Sequence, residues 1–260
     1  MDFALKRKYA LVTGGSHGIG RSIALALAEE GCNVAICARN KERIEETLVA
    51  LNAKGIQSIG IPADVMIPAD IERVMKTIID AWGTIHILIN NVGGGGRWGK
   101  DEVEQTSEDV WLDVYNKNAL AAIRFTMKAI PFMRKQRWGR VVTISSLQGR
   151  EGGGKPWYNM AKSAQISLMK TLAMNRELST CGITFNSIAP GAIIFKDNEW
   201  DIFHKENPIE FQRRINTKHP CGRLGTPEEV ANVVVFLCSE KASLVNGASI
   251  PVDGAEGRSF

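Results

Sequence analysis

Short apolar runs alternate with longer amphipathic segments along almost the whole chain, and that alternation leaves few folds open. The runs Tyr9–Val12, Asn33–Ala38, Gln57–Pro62, Ile85–Ile89, Arg140–Ile144, Ile183–Ile188 and Ala248–Val252 are expected to be strands. Helical segments lie between them. One runs from the glycine turn after the first strand to about Glu30, capped by Gly31; the next two, Asn40–Lys54 and Ala69–Trp82, end at Gly55 and Gly83. A long one follows at about Glu108–Gln136, broken near Asn116–Asn118, then Pro156–Thr180 and Pro227–Ser239. Strands joined through helices must run parallel, and a parallel sheet needs cover on both faces. The expectation is an α/β chain: a three-layer, doubly wound parallel sheet of about seven strands with helices on both faces. No linker, internal repeat or low-complexity tract divides it, so residues 1–260 are taken as a single domain.

Composition excludes several functions. Net charge is +4, from 32 basic and 28 acidic residues, too mild for a nucleic-acid binder. No apolar run reaches membrane-spanning length, and the run after the basic N-terminus is too short for a signal peptide. The five cysteines (Cys32, Cys37, Cys181, Cys221, Cys238) form no C-x-x-C pair, which points to reduced thiols and a cytoplasmic location. The four histidines are scattered, so no metal site is expected.

Gly14-x-x-x-Gly18-x-Gly20 stands between the first strand and the first helix, with Ser16, His17 and Ile19 in the same turn. Glycines there let the backbone approach a pyrophosphate, and a helix N-terminus offers free N–H groups and partial positive charge. The spacing is not the generic G-x-G-x-x-G, so a plain turn is the competing reading; the position between strand and helix favours binding. NAD-binding sheets often place an acid after the second strand. Here Val34–Ala38 leads instead to Arg39, whose guanidinium suits a 2′-phosphate, with His17 as a helper. That favours NADP(H) and leaves NAD(H) as the alternative; a solvated Arg39 is the bland reading. Asp64 and Val65 can reach an adenine, and Asn90, Asn91, Val92 and Gly93 can shape the floor of the site, although an Asp after a strand is commonly a turn residue. Asn118, taken alone, is an amide that satisfies a helix kink.

In the stretch Arg140–Lys162, a buried strand ends in Ser145 and Ser146, a glycine-rich loop follows, and Pro156 opens a helix carrying Tyr158 and Lys162 at i and i+4. A lysine beside a phenol is expected to favour tyrosinate and lower its pKa, so that the phenol exchanges a proton near neutral pH.

These motifs, in this order, resemble the short-chain dehydrogenase/reductase family from Ala10 to Gly254: T-G-x-x-x-G-I-G, D-V, N-N-x-G, a helix asparagine, S-S, Y-x-x-x-K, P-G and a terminal V-D-G. The resemblance implies a single-domain Rossmann fold and a ketone–alcohol oxidoreductase. It implies that Ser146 is the catalytic serine, Tyr158 the acid/base, Lys162 its partner and a ribose contact, and Asn118 the holder of a relay water. Gly14, Ser16, His17, Gly18, Ile19, Gly20, Arg39, Asp64, Val65, Asn91, Gly93, Pro190, Gly191 and Ile193 complete the expected cofactor contacts. It also implies a homotetramer or homodimer, and a substrate lid at about 193–221. The generic relative is a 3-oxoacyl-acyl-carrier-protein reductase, which makes acyl carrier protein a candidate partner. A sugar or polyol dehydrogenase is the alternative, and a non-catalytic nucleotide sensor the alternative of another class.

The chain departs from the family pattern at Val92, at the extra glycines Gly94–Gly96, and at Phe195, which takes the place of a threonine that bonds the cofactor's carboxamide. Arg134, Lys135 and Arg137 are the basic cluster considered for an acidic carrier; Arg150 and Glu151 are the charges considered for a polar substrate. For each of these charges a solvated position is the competing reading.

Overall fold

The computed structural model describes residues 2–259. Seven strands pair in parallel: β1 (Tyr9–Thr13), β2 (Asn33–Ala38), β3 (Ser58–Pro62), β4 (Ile87–Asn90), β5 (Gly139–Ile144), β6 (Ile183–Pro190) and β7 (Ser249–Val252). Their order across the sheet is β3-β2-β1-β4-β5-β6-β7. The helices are α1 (Gly18–Glu29), α2 (Lys41–Asn52), α3 (Pro68–Trp82), α4 (Glu108–Tyr115), α5 (Ala121–Gln136), α6 (Pro156–Met174), α7 (Arg176–Ser179), α8 (Glu199–Glu206), α9 (Pro208–Lys218) and α10 (Pro227–Cys238).

Successive side chains of a strand point to opposite faces, and the two cores follow that rule. On one face Ala10 and Val12 of β1 and Val34 and Ile36 of β2 join Ile23 and Leu27 of α1 and Val234 of α10. On the other, Leu11, Ala35 and Cys37 join Ile71 and Val74 of α3, Phe125 of α5 and Met169 of α6. Both faces are dry, which is why the strands form continuous apolar runs rather than alternating ones. Each fully buried Val, Leu or Ile contributes about 1.5–3 kcal/mol of gross stabilisation.

One expected helical segment is divided in two. The Pro156–Thr180 segment is not one helix: at Asn175 the backbone leaves the helical region (φ −71°, ψ 108°), and its side chain accepts from Leu178 N at 3.2 Å to start α7. Asparagine competes with helix backbone in this way. The break near Asn116–Asn118 is a π-helical turn, Asn116–Leu120, inserted between α4 and α5. Residues 193–221, expected as a lid, contain α8 and α9.

Chain order reverses at β1 and β4, and in open parallel sheets the crevice lies beyond the carboxyl ends of strands at such a switch. Thr13, at the end of β1, staples that crevice: its hydroxyl donates to Ile89 O (3.3 Å) and accepts from the N–H groups of Asn91 (2.9 Å) and Val92 (3.1 Å). No helix among the described residues is long and apolar enough to cross a membrane.

Candidate active site

One cleft of about 730 Å³ runs along the carboxyl ends of the strands. At one end it is lined by Gly14, Ser16, His17, Ile19 and Gly20 from the first turn, and by Arg39, Asp64 and Val65 after β2 and β3. At the other end stand Asn91, Gly93, Ser146, Tyr158, Lys162, Pro190, Gly191 and Ile193. Gly18 and Asn118 do not line it.

The first turn is shaped by contact as well as by conformation. Gly14 and Gly18 are left-handed (φ +66° and +53°). A Cβ on Gly20 would lie 2.3 Å from Gly14 O and 2.4 Å from Asn91 Nδ2. His17 caps α1 without a side-chain bond, so the first amides of the helix carry no such partner. Bare amides beside a turn too tight for side chains fit a pyrophosphate. Gly18 falls outside the cleft because Phe195 covers it: a Cβ there would meet the ring at 2.7 Å, and the ring lies edge-on to His17 at 5.2 Å between centroids.

The corner beyond β2 holds no acid of its own strand. Arg39 Nη1 is 4.0 Å from Asp64 Oδ2, a loose pair with the arginine 72% exposed, so the guanidinium is free to turn to an anion. Arg43, in the first turn of α2, lines the same corner. Burial, then the charge of Arg43, pushes the His17 pKa down, so His17 enters this corner as a neutral donor rather than a cation. These residues fit the 2′-phosphate of NADP(H).

At the other end the two serines divide. Ser145 donates its hydroxyl to Lys162 O at 2.9 Å and is buried. Ser146 accepts from Gln148 N at 3.2 Å and lines the cleft beside Tyr158. Lys162 Nζ donates to Ile144 O at 2.9 Å and stands 5.6 Å from the Tyr158 ring centroid. The expected lowering of the phenol does not occur. Burial pushes Tyr158 up to about 12, the neighbouring Ser146 hydroxyl opposes this, and Glu199 adds to the rise. Lys162 itself is pushed down to about 7 by burial and then by the nearby charge of Lys117. The reason is desolvation: spacing puts the two groups on one face, but burial penalises each charged form and the ammonium is committed to a carbonyl.

Asn118 lies fully buried beneath the cleft. Its Nδ2 donates to Gly94 O (2.8 Å) and Val114 O (2.7 Å), its Oδ1 accepts from Gly94 N (3.2 Å), and its carbonyl accepts from Gln165 Nε2 (3.0 Å). A Cβ on Gly93 would sit 2.8 Å from both Asn118 Oδ1 and Lys162 Nζ, so this glycine lets the asparagine and lysine close in.

Several charges lie elsewhere than considered. Arg134, Lys135 and Arg137 sit at the end of α5, beside the start of β5, and thus at the sheet edge opposite the cleft. Arg134 pairs with Glu177 at 3.0 Å and Arg137 donates to Thr180 O at 3.0 Å. Glu151 accepts from the backbone of Arg258 (2.7 Å) and Ser259 (2.9 Å), and Arg150 donates to Ser259 Oγ (3.2 Å), so both hold the C-terminal tail. Trp157 is buried against Trp111; Phe203 and Phe211 pack with Trp200 into a small core of their own. Trp98 and Trp200 do line the cleft. Three charged lining residues are new: Arg43, Lys117 and Glu199. Arg43 was findable as one helical turn past Arg39; Lys117, between the two asparagines of the π turn, depended on how that turn rotates it. Among the described residues no cluster of His, Cys, Asp or Glu could hold a metal.

A seat for a dinucleotide that ends at a serine, a tyrosine and a buried lysine belongs to nucleotide-dependent oxidoreductases of the doubly wound class. Residues 14–255 match the family model described as enoyl-(acyl carrier protein) reductase. The chain is 37% identical over 250 residues to the 3-oxoacyl-[acyl-carrier-protein] reductase of Staphylococcus aureus, covering 95% of this chain and 97% of that protein. It is 34% identical over 253 residues to dehydrogenase/reductase SDR family member 4 of Oryctolagus cuniculus, covering 96% and 94%. The L-sorbose reductase of Gluconobacter frateurii, solved with NADPH and L-sorbose, matches over 100% of both chains with a TM-score of 0.92 and 30% identity. The chain belongs to the short-chain dehydrogenase/reductase family, and it is an NAD(P)-dependent oxidoreductase acting on CH–OH and C=O groups.

Proposed function

We propose that the chain is an NADP(H)-dependent ketone reductase, with 3-oxoacyl thioesters on acyl carrier protein as the first substrate class. The observation that carries the chemistry is the gathering of Ser146, Tyr158 and Lys162 at the end of the cleft opposite the Arg39 corner. Bound NADP(H) supplies or accepts the hydride. Ser146 donates to the carbonyl oxygen. Tyr158 gives that oxygen its proton, or removes the alcohol proton in the reverse direction. Lys162 lies behind both, one N–H given to Ile144 O and another left for a ribose hydroxyl. Asn118 acts by fixing Gly94 and bordering Lys162 rather than by touching substrate. Residues 193–221 form the lid of a single domain, with Asn198, Glu199 and Trp200 turned to the cleft.

The carrier-linked substrate is favoured by the bacterial relatives, which share the whole length of the chain. A second reading, a polyhydroxy ketone, is favoured by the mouth itself. Arg97 Nε meets Glu199 Oε2 at 2.6 Å across it, with Trp98 and Trp200 close by, a set suited to hydroxyls and sugar faces. Loss of NADPH absorbance with an acetoacetyl carrier thioester, a ketose and a simple ketone separates these readings. Turnover of the thioester alone supports the first, and turnover of the ketose alone the second. Cofactor binding without turnover of any of the three would favour a sensor.

The Arg39 corner makes its own prediction. Arg39→Ala should raise KM for NADPH by about 10–100-fold, the worth of one charge-assisted phosphate contact, and leave KM for NADH nearly unchanged. Equal changes for the two coenzymes would refute the 2′-phosphate assignment. Exposed Leu112 of α4, Met127 of α5 and Met160 of α6 support association into a dimer or tetramer through those helices, measurable by light scattering. The five free cysteines agree with a reducing, cytoplasmic setting.

A further inference from the structure

The C-terminal tail enters the site from behind. Glu256 Oε2 accepts from Ala192 N at 2.6 Å, just after β6. His219 Nδ1, at the end of α9, lies 3.6 Å from the same oxygen and is buried. A Cβ on Gly191 would fall 2.6 Å from that oxygen, so the glycine is what admits the carboxylate. The tail is built to hold this pose. Gly254 and Ala255 are both left-handed (φ +60° and +63°), an unfavourable state for alanine that persists only where surroundings impose it. Asp253 accepts from Ala255 N (3.1 Å) and Gly257 N (2.9 Å), and Glu151 secures the far end at Arg258 and Ser259.

The held backbone faces the cleft. Ile194 N donates to Gly225 O (2.9 Å) and Gly225 N donates to Ala192 O (3.0 Å), a parallel bridge centred on Ile193. In a trans peptide the C=O and the following N–H point opposite ways. Ala192 O points to Gly225, so the Ile193 N–H points away from it, and it donates to no group among the described residues. Ile193 lines the cleft, and its carbonyl accepts from Asn198 Nδ2 at 2.7 Å. The Phe195 ring is turned to His17 and Gly18 and offers no side-chain donor here, which leaves the Ile193 N–H as an unspent backbone donor on this turn.

We propose that Glu256 is a positioning residue for the nicotinamide end of the cofactor. By holding the Ala192 N–H while Gly225 holds the Ala192 carbonyl, it fixes both peptides around Ala192 and aims the Ile193 N–H at the carboxamide. This rests on the proposed seat of NADP(H), with its nicotinamide beside Pro190–Ile193.

The test compares two ligands on the whole protein. NADPH binding is followed by its fluorescence, and adenosine 2′,5′-bisphosphate, which lacks the nicotinamide, is followed by calorimetry. Glu256→Ala should weaken NADPH about tenfold, the scale of one lost hydrogen bond to a charged group, and leave the bisphosphate unchanged. Glu256→Gln, whose amide oxygen still accepts from Ala192, should restore NADPH affinity. Unchanged NADPH affinity in Glu256→Ala overturns the proposal. So does an equal loss for both ligands, which marks general damage to the fold. If the unaltered protein bound NADPH no more tightly than the bisphosphate, the nicotinamide seat itself would be wrong; the first two results would overturn the part given to Glu256 alone.

Discussion

Tyr158→Phe is expected to lower kcat/KM by about 10²–10⁴-fold, the usual worth of a positioned proton donor. NADPH affinity should stay within about threefold, because the ring and its packing against Gly96 are retained and only the hydroxyl is lost. The pH dependence follows from the environment of the phenol. Burial holds Tyr158 at about 12, so its proton is present throughout the ordinary range. Reduction, which consumes that proton, should not fall off near neutral pH on account of this group. Oxidation, which needs the deprotonated phenol, should rise with pH instead. Initial rates in both directions between about pH 6 and 10 check this. A Phe variant that kept a tenth of normal turnover would remove Tyr158 from the proton transfer.

Lys162→Met should change both catalysis and stability, in opposite directions near neutral pH. Loss of the amine that stands 5.6 Å from the Tyr158 ring centroid is expected to cost about 10²–10³-fold in kcat. Stability responds through proton linkage. The folded lysine is held at about 7 by burial and by Lys117, against ~10.4 for an unperturbed side chain. Between those values the unfolded chain binds more protons than the folded one, so stability rises with pH across that window. Below about 7 the folded protein carries the full cost of a buried ammonium. Methionine removes that dependence. Urea unfolding at about pH 6.5 and 9.5 should show the variant gaining on the unaltered protein at the lower pH, with a flatter slope between the two. An unchanged slope would mean that Lys162 titrates alike in both states.

Both expectations depend on a contact between elements far apart in the chain. Tyr158 and Lys162 were legible as an i, i+4 pair, and the sheet beneath them as alternating runs. Their protonation was not, because it depends on what covers them: Ile144 O on the lysine, Glu199 of α8 and Ser146 on the phenol, and Lys117 from the π turn. The same holds for charges. Arg134 and Arg137 look close to the serine tip in sequence, yet a strand separates them from it, and a parallel strand carries its two ends to opposite edges of the sheet. Arg150 and Glu151 look free in a glycine-rich loop, yet they meet a tail that is more than a hundred residues away.

The sequence by itself determined the α/β architecture, the strand positions, the glycine turn, and the residue types that gather at the carboxyl edge. Periodicity and turn chemistry are local, and a local rule can be read from neighbours. Only the tertiary structure decided what occupies the Ser145 hydroxyl, where Asn118 spends its amide, and how the tail reaches Ala192. Those outcomes rest on distances across the fold and on the loss of water around buried groups. Neither quantity exists until β1, β4, β5 and β6 lie side by side.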